Sequence, residues 1–151
     1  MNQEYLSYCG IYCENCAVVA KITPTAKALY NEMNKAGYAE VIHLIPDGAG
    51  FWPFLKNMAE NGACSSCKGG GADPNCAIRI CAKEKGQEVC VLCTEYPCPN
   101  FVDILKRNPI LVKDNILLRD QGLEVWAKLQ DERQTNGFTY QDAVENRLGD
   151  A

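Results

Sequence analysis

The chain has 151 residues, ten of them cysteine, and a formal net charge of −4. This length fits one domain of ordinary size, so we expect a single domain covering residues 1–151. The acidic balance argues against nucleic-acid partners, the apolar runs are too short for a membrane span, and residues 1–7 do not resemble a signal peptide, so we expect a cytoplasmic protein.

The first half of the chain predicts two amphipathic helices. Thr23-Pro24 is typical of an N-cap followed by proline in the first helical turn, and apolar residues then recur at helical spacing up to a stop at Gly37. The second helix ends at Asn61-Gly62. Because Pro53 fits only in a first turn, we expect that helix to begin near Trp52.

Two segments cannot be assigned to regular helices from the sequence. The apolar run 41–45 is short enough to be either a strand or a helix. Residues 68–75 read Lys-Gly-Gly-Gly-Ala-Asp-Pro-Asn and predict a flexible loop. No strand leads into this loop and no Gly-Lys-Ser/Thr follows it, which excludes a phosphate-binding P-loop.

Further helices are predicted in the last third of the chain. Pro99 opens one helix that ends before Pro109, and Gly122 is a candidate break in the helical pattern that follows. The remaining signals are helical runs at 110–121 and 123–134, a stop at Asn136-Gly137, and a capping box at Thr139 and Asp142 that opens a short last helix.

The predicted fold class is therefore mainly α, with amphipathic helices that frame cysteine-rich loops and little or no β-structure. Residues 8–98 form the predicted metal-binding region, and residues 99–151 form a helical C-terminal region.

The cysteines are the strongest functional signal in the chain. Three pairs have the C-x2-C spacing, which lets two thiolates face one metal ion. Without a secretion signal, clustered cysteines indicate metal binding rather than disulfides. We therefore predict that all ten are candidate metal ligands: Cys9, Cys13, Cys16, Cys64, Cys67, Cys76, Cys81, Cys90, Cys93 and Cys98.

The identity of the metal stays open at this point. Zinc is the leading prediction because C-x2-C pairs are typical of tetrahedral zinc sites. Iron–sulfur clusters accept all-cysteine ligation equally well, although the bacterial ferredoxin spacing is absent. The first three cysteines also have the C-x3-C-x2-C spacing of radical SAM enzymes, but the alternating strands of that architecture are missing. A thioredoxin-like dithiol would likewise need a βαβ context.

The spacing suggests how the thiols divide between two ions. We expect the first ion on Cys13, Cys16, Cys64 and Cys67, with Cys9 as a substitute member, and the second on ligands drawn from Cys76, Cys81, Cys90, Cys93 and Cys98. If a helix joins Cys76 to Cys81, the two lie about 140° apart and serve different ions, unless Cys76 precedes the helix. Cys98 precedes a helix start, where the helix dipole favours a thiolate.

Other notable residues predict packing rather than chemistry. His43, the single histidine, is expected to be a partly buried core residue, as are Trp126 and the cluster Phe51-Trp52-Pro53-Phe54. No paired carboxylates, nucleophile elbow or dinucleotide motif is present, so no reaction can be assigned.

The order of the cysteines resembles the DUF3795 family of small bacterial and archaeal proteins. The likeness covers residues 8–101 and rests on Cys9-Gly10, Cys13, Cys16, Cys64, Cys67, the block Cys76-Ala-Ile-Arg-Ile-Cys81 and the segment Cys90-Val-Leu-Cys-Thr-Glu-Tyr-Pro-Cys98. The resemblance implies zinc binding through cysteines and names no reaction.

The expected function is a small metal-thiolate protein that binds structural zinc and acts as an adaptor or interaction module, with an unidentified protein partner. The first alternative is an iron–sulfur protein in electron transfer or redox sensing. The second is a metal- or thiol-dependent enzyme of unknown substrate.

Overall fold

The computed structural model describes residues 3–71 and 73–143, and over these residues the chain is mainly helical. The α-helices are α1 (Thr23–Lys35), α2 (Tyr38–Val41), α3 (Gly48–Asn61), α4 (Ala77–Glu84), α5 (Val102–Arg107) and α6 (Pro109–Thr135). A π-helical turn at Val18–Ile22 leads into α1, and 3-10 turns lie at Gln3–Tyr5, Cys13–Asn15, Ile42–Leu44, Cys90–Leu92 and Pro99–Phe101. Within the described ranges, β-pairing is confined to an isolated bridge between Leu6 and Tyr12. This confirms the predicted mainly α fold class.

The chain divides into two compact units. The thiol unit comprises the described residues up to Cys16 and from Ser66 onward, and the helix-pair unit is Ala17–Ser65. The division does not test the expectation of a single domain, which stays a prediction.

The helix-pair unit is built on α1 and α3, which run antiparallel. The Thr23 hydroxyl near the start of α1 accepts a hydrogen bond from the Ala63 backbone N–H just beyond α3, at 3.0 Å. Farther along, the rings of Tyr30 and Trp52 meet with centroids 5.1 Å apart. Thr23 is not the predicted N-cap, because the turn before it is already helical and its hydroxyl donates to the Val18 carbonyl.

The predicted start of α3 near Trp52 is wrong. The helix begins at Gly48, so Pro53 lies inside it. Pro53 lies beyond the first four N–H groups, which have no intrahelical partner, so its ring removes one backbone hydrogen bond, and the helix continues through it to Asn61. Gly62, with φ 81°, ends the helix as predicted.

The aromatic and histidine residues of this unit are more exposed than the sequence predicts. The run 41–45, left open between strand and helix, is largely helical. His43 is exposed rather than partly buried, and Phe51 and Phe54 are 40% and 60% exposed. The prediction that these residues belong to the core is therefore wrong, since a unit with two packed helices has too few layers to enclose both sides of α3.

The thiol unit has its core around α6. Trp126 is fully buried, as predicted, and packs edge-on against Tyr12 with ring centroids 5.8 Å apart. Gly122, with φ 84° and ψ 174°, interrupts α6 and confirms the predicted break. The break lets the two halves of α6 differ in direction, so that both line the same core.

The C-terminal signals are confirmed within the described residues. Gly137 has φ 71° and follows the end of α6. The Thr139 hydroxyl accepts a hydrogen bond from the Asp142 N–H at 3.2 Å, and residues 140–143 are helical.

Candidate metal centre

The N-terminal cysteines lie on a tight loop that requires glycine at position 10. The Ser7 N–H donates to the Ile11 carbonyl at 2.9 Å, which closes the loop. Gly10 has φ +90°, and a Cβ added there would lie 1.8 Å from Oδ1 of Asn115 on α6. Both the backbone conformation and the close approach exclude a side chain.

Asn115 also fixes this loop by direct hydrogen bonds. Its amide nitrogen donates to the Cys9 carbonyl at 3.0 Å and to the Tyr96 hydroxyl at 3.2 Å. The Cys90 N–H donates to the Tyr8 carbonyl at 2.8 Å. These contacts bring Cys9 beside the turn that carries Cys90.

Two of the three C-x2-C pairs lie in the thiol unit, and they fold in the same way. Each pair spans a 3-10 turn in which the second cysteine's N–H donates to the carbonyl of the first, at 3.0 Å for Cys16 and Cys13 and at 2.9 Å for Cys93 and Cys90. In each turn a single backbone hydrogen bond joins the two cysteines. That both thiols of a pair face one ion stays a prediction from the spacing.

Four cysteines line one small cavity of about 20 Å³. We call Cys81, Cys90, Cys93 and Cys98 the cavity thiols. They come from α4, from the Cys90–Leu92 turn with the residue after it, and from the residue that precedes Pro99. The rest of the cavity wall is formed by Ala82, Phe101, Tyr96 and Gln87. Lys85 and Glu95, which form an ion pair with each other, also line it.

The cavity disfavours the thiolate form of Cys90. Burial, together with the neighbouring sulfurs of Cys9, Cys81, Cys98 and Cys93, raises the pKa of Cys90 from 9.0 to about 12. At neutral pH this thiol is protonated, and a positive charge inside the cavity would favour its thiolate form.

A second set of cysteines surrounds the N-terminal loop, and we call Cys9, Cys13, Cys16, Cys67 and Cys76 the arm thiols. Burial raises the pKa of Cys13 to about 11, although its sulfur accepts a hydrogen bond from the Cys67 backbone. Burial also raises the pKa of Cys9, and Cys67 and Cys76 are near enough to raise it further. The Gln141 amide lies 3.5 Å from the sulfur of Cys16.

The structure separates Cys76 from Cys81. Cys76 directly precedes α4 and belongs to the arm thiols, whereas Cys81 lies within α4 and faces the cavity. The five-residue spacing allowed Cys76 to lie either within the helix or just before it, and the structure has it just before α4.

Arg79 on α4 holds the glycine-rich loop that the sequence predicted to be flexible. Its guanidinium donates to the carbonyls of Cys67, Gly71 and Asp73 at 3.2, 2.6 and 2.5 Å. Arg79 is 5% exposed, and hydrogen bonds to these carbonyl dipoles stabilise its buried charge. It therefore sets the position of Cys67, a role that sequence reasoning missed because a lone arginine between two cysteines has no recognisable spacing.

A buried polar network holds the other side of the N-terminal segment that carries Cys13 and Cys16. The Asn15 amide donates to the Gln130 side chain at 3.0 Å, and the Gln130 amide donates to Asp114 at 3.3 Å. Arg133 pairs with the same Asp114 oxygen at 2.6 Å, and the Tyr140 hydroxyl accepts from the Tyr12 N–H at 3.2 Å. The sequence signal that could have predicted this network is the set of polar residues on the buried face of α6.

The predicted ligand groups are only partly brought together. Among the residues that the structure describes, no three cysteine, histidine, aspartate or glutamate side chains form a ready-made metal site. Cys64 lies in the helix-pair unit, so its predicted place beside Cys67 stays a prediction. The remaining nine cysteines fall into the cavity and arm sets.

Comparison with known proteins supplies a family. The family model DUF3795, described as a protein of unknown function, matches residues 5–103. The chain belongs to this family. The match ends within α5, so the polar residues of α6 that hold the N-terminal arm lie beyond it. No curated protein and no solved structure matches the chain.

Helix length and polarity bear on membrane insertion. None of the helices in the described part of the chain is both long and apolar enough to span a bilayer.

Proposed function

We propose that this protein binds two structural zinc ions through its cysteines and serves as a cytoplasmic adaptor or interaction module. The observation that carries the proposal is the convergence of four cysteines, from three separate segments, on one cavity of about 20 Å³.

The size and chemistry of the cavity favour a single ion. A cavity of this volume has room for about one water molecule. An iron–sulfur cluster adds several iron and sulfide atoms and needs more space. Four thiolates form a closed tetrahedral zinc site with no open coordination position, which is typical of structural rather than catalytic zinc.

The charge of the cavity wall is a second reason to propose a metal ion there. The ion pair between Lys85 and Glu95 is neutral overall, so the cavity wall provides no net positive charge to balance thiolates. A divalent cation would supply it, and binding would release the protons held by the buried thiols.

The arm thiols are the proposed site of the second ion. In this set, Cys9 interacts electrostatically with Cys67 and Cys76, and Cys13 interacts with Cys9, Cys16 and Cys67. The buried Arg79 and the α6 network hold the two sides of this set from outside, as residues that bond to metal ligands commonly do.

The energy of metal binding supports a structural role. A structural zinc site has an apparent binding free energy of about 10–16 kcal/mol in small peptides, whereas whole domains are stable by about 5–15 kcal/mol. One ion is therefore enough to determine whether the cysteine loops are ordered. A reducing cytoplasm keeps thiols available for this binding.

The test is anaerobic purification followed by metal analysis and a visible spectrum. We expect a colourless protein with two zinc ions per chain. Replacing Cys90 and Cys93 by serine should remove one ion and leave the other. Thr94→Ala, an exposed change in the same loop, is the matched control and should retain both ions.

Two results would contradict the proposal. A brown protein containing iron and acid-labile sulfide would establish the iron–sulfur alternative. A colourless protein without bound metal, even after zinc is supplied under reducing conditions, would refute metal binding altogether.

A further inference from the structure

We propose that Lys85 supplies the positive charge that stabilises zinc on the cavity thiols, and that Glu95 sets the zinc affinity of this site by competing for Lys85. The inference rests on the proposed zinc site and adds a pair of residues that regulates its affinity. Three observations carry it: both residues line the cavity, they are bonded to each other, and each is held beside a cavity thiol.

Lys85 and Glu95 are placed in the cavity wall by the backbone of the cysteine segments. Lys85 directly follows α4, and its N–H donates to the Cys81 carbonyl at 3.0 Å, so it lies one helical turn after that thiol. Glu95 lies in a turn closed by the Tyr96 N–H, which donates to the Cys93 carbonyl at 3.1 Å. Both charged side chains therefore start from segments that carry proposed zinc ligands.

Among the described residues that line the cavity, Lys85 and Glu95 are the charged ones. Nζ of Lys85 lies 2.5 Å from Oε1 of Glu95, and the two side chains are 37% and 65% exposed, so the ammonium is the less hydrated partner. Glu95 raises the pKa of Lys85, and the thiolate forms of Cys81 and Cys93 raise it further. Both sulfurs are therefore within electrostatic range of the ammonium.

Zinc binding changes the charge that this ion pair faces. Metal ligation requires thiolates and releases the protons of free thiols. Four thiolates outweigh one Zn²⁺, so the occupied site has a charge of −2. The Lys85 ammonium is attracted to this charge and the Glu95 carboxylate is repelled by it. The pair thus contains one group that favours the occupied site and one that opposes it.

A purely structural ion pair makes a different prediction. If the bond between Lys85 and Glu95 served only to join α4 to the loop after Cys93, removing either partner would loosen the cavity and weaken zinc binding. If charge is the cause, the two removals act in opposite directions. Losing Lys85 leaves a carboxylate beside the thiolates, whereas losing the charge of Glu95 releases the ammonium to turn toward the sulfur atoms.

The test is a zinc titration in competition with a chromophoric chelator under reducing conditions. The cavity ion is identified as the binding step that disappears when Cys90 and Cys93 are replaced by serine. We expect Lys85→Met to weaken this step about tenfold, and Glu95→Gln, at the more exposed residue, to strengthen it about threefold. Lys85→Arg keeps the charge and should bind zinc nearly as tightly as the wild type.

Two exposed residues of α4 provide matched controls. Lys83→Met and Glu84→Gln make the same changes of charge, but neither residue is among the described residues of the cavity wall. Both variants should leave the affinity for the cavity ion close to the wild-type value. In about 1 M of a non-coordinating salt, the effects of Lys85→Met and Glu95→Gln should shrink, because the Debye length falls to about 3 Å. A loss of packing would persist at this salt concentration.

Two results would overturn the inference and leave the zinc site standing. In the first, Lys85→Met and Glu95→Gln shift the affinity in the same direction. In the second, the control variants shift it as much as they do. If Lys85→Met does not fold, Glu95→Gln decides alone, and its failure to strengthen binding overturns the inference. A wild-type chain without the binding step assigned to the cavity would contradict the proposed function itself.

Discussion

Replacing Gly10 by alanine tests the close approach between the N-terminal loop and α6. The added Cβ would lie 1.8 Å from Oδ1 and 2.8 Å from Cγ of Asn115, both far inside contact distance. The Asn115 side chain must therefore move and give up its bonds to the Cys9 carbonyl and the Tyr96 hydroxyl. The φ of +90° at Gly10 adds backbone strain.

The expected loss of stability follows from these contributions. A left-handed conformation costs a residue with a Cβ about 1–2 kcal/mol. Each lost hydrogen bond costs about 1 kcal/mol. The sum is about 3–4 kcal/mol, and in a protein of this size it corresponds to a fall in melting temperature of roughly 10 °C.

Thermal unfolding followed by circular dichroism, with zinc and reductant present, measures the effect. Gly86→Ala is the matched control because Gly86 also has a positive φ, of +63°, but has nothing within 4 Å of its added Cβ. It should lose only the backbone contribution of about 1–2 kcal/mol. If both variants melt at the same temperature, the contact with Asn115 does not restrain the N-terminal loop.

Two further predictions concern the cysteine loops. Arg79→Met removes three hydrogen bonds to loop carbonyls and should lower the free energy of unfolding in urea by about 3 kcal/mol. Arg119→Met, at an exposed position, is the control and should leave the free energy of unfolding almost unchanged. Equal effects of the two variants would refute the anchoring role of Arg79. In reduced, metal-free protein, the free energy of unfolding should decrease as pH rises from 9 toward 12, because the unfolded chain releases the Cys90 proton near its ordinary pKa of 9.0 while the folded chain holds it to about 12. Cys90→Ser should make this pH dependence shallower, and an unchanged slope would refute the assignment.

Local signals predicted the helices well where their cause lies within the chain segment itself. Gly37, Gly62 and Gly137 end helices because their positive φ values follow from local backbone sterics. Gly122 interrupts α6 for the same reason. Pro53 was misleading because the start of α3 depends on Gly48 packing against the Ile42 carbonyl, and an added Cβ would lie 2.0 Å from that oxygen.

The burial of side chains was harder to predict than the helices. Phe51 and Phe54 have the composition of core residues, yet the helix-pair unit leaves both exposed. Conversely, Asn15, Asp114 and Gln130 are polar but almost fully buried, because the Asn15 amide donates to the Gln130 side chain, 115 residues away in sequence, and the Gln130 amide donates to Asp114. A single sequence shows polarity and spacing, and it does not show which distant polar groups meet.

Local sequence patterns predicted the helical class and the family, because helix caps, C-x2-C turns and the ordered cysteines depend on neighbours a few residues apart. The tertiary structure was needed to show which cysteines lie near one another. Cys81 joins Cys90, Cys93 and Cys98 in the cavity, while Cys76 joins the N-terminal arm. The physical reason is that such grouping depends on long-range contacts, above all those of Asn115 and Arg79, whose partners no local spacing specifies.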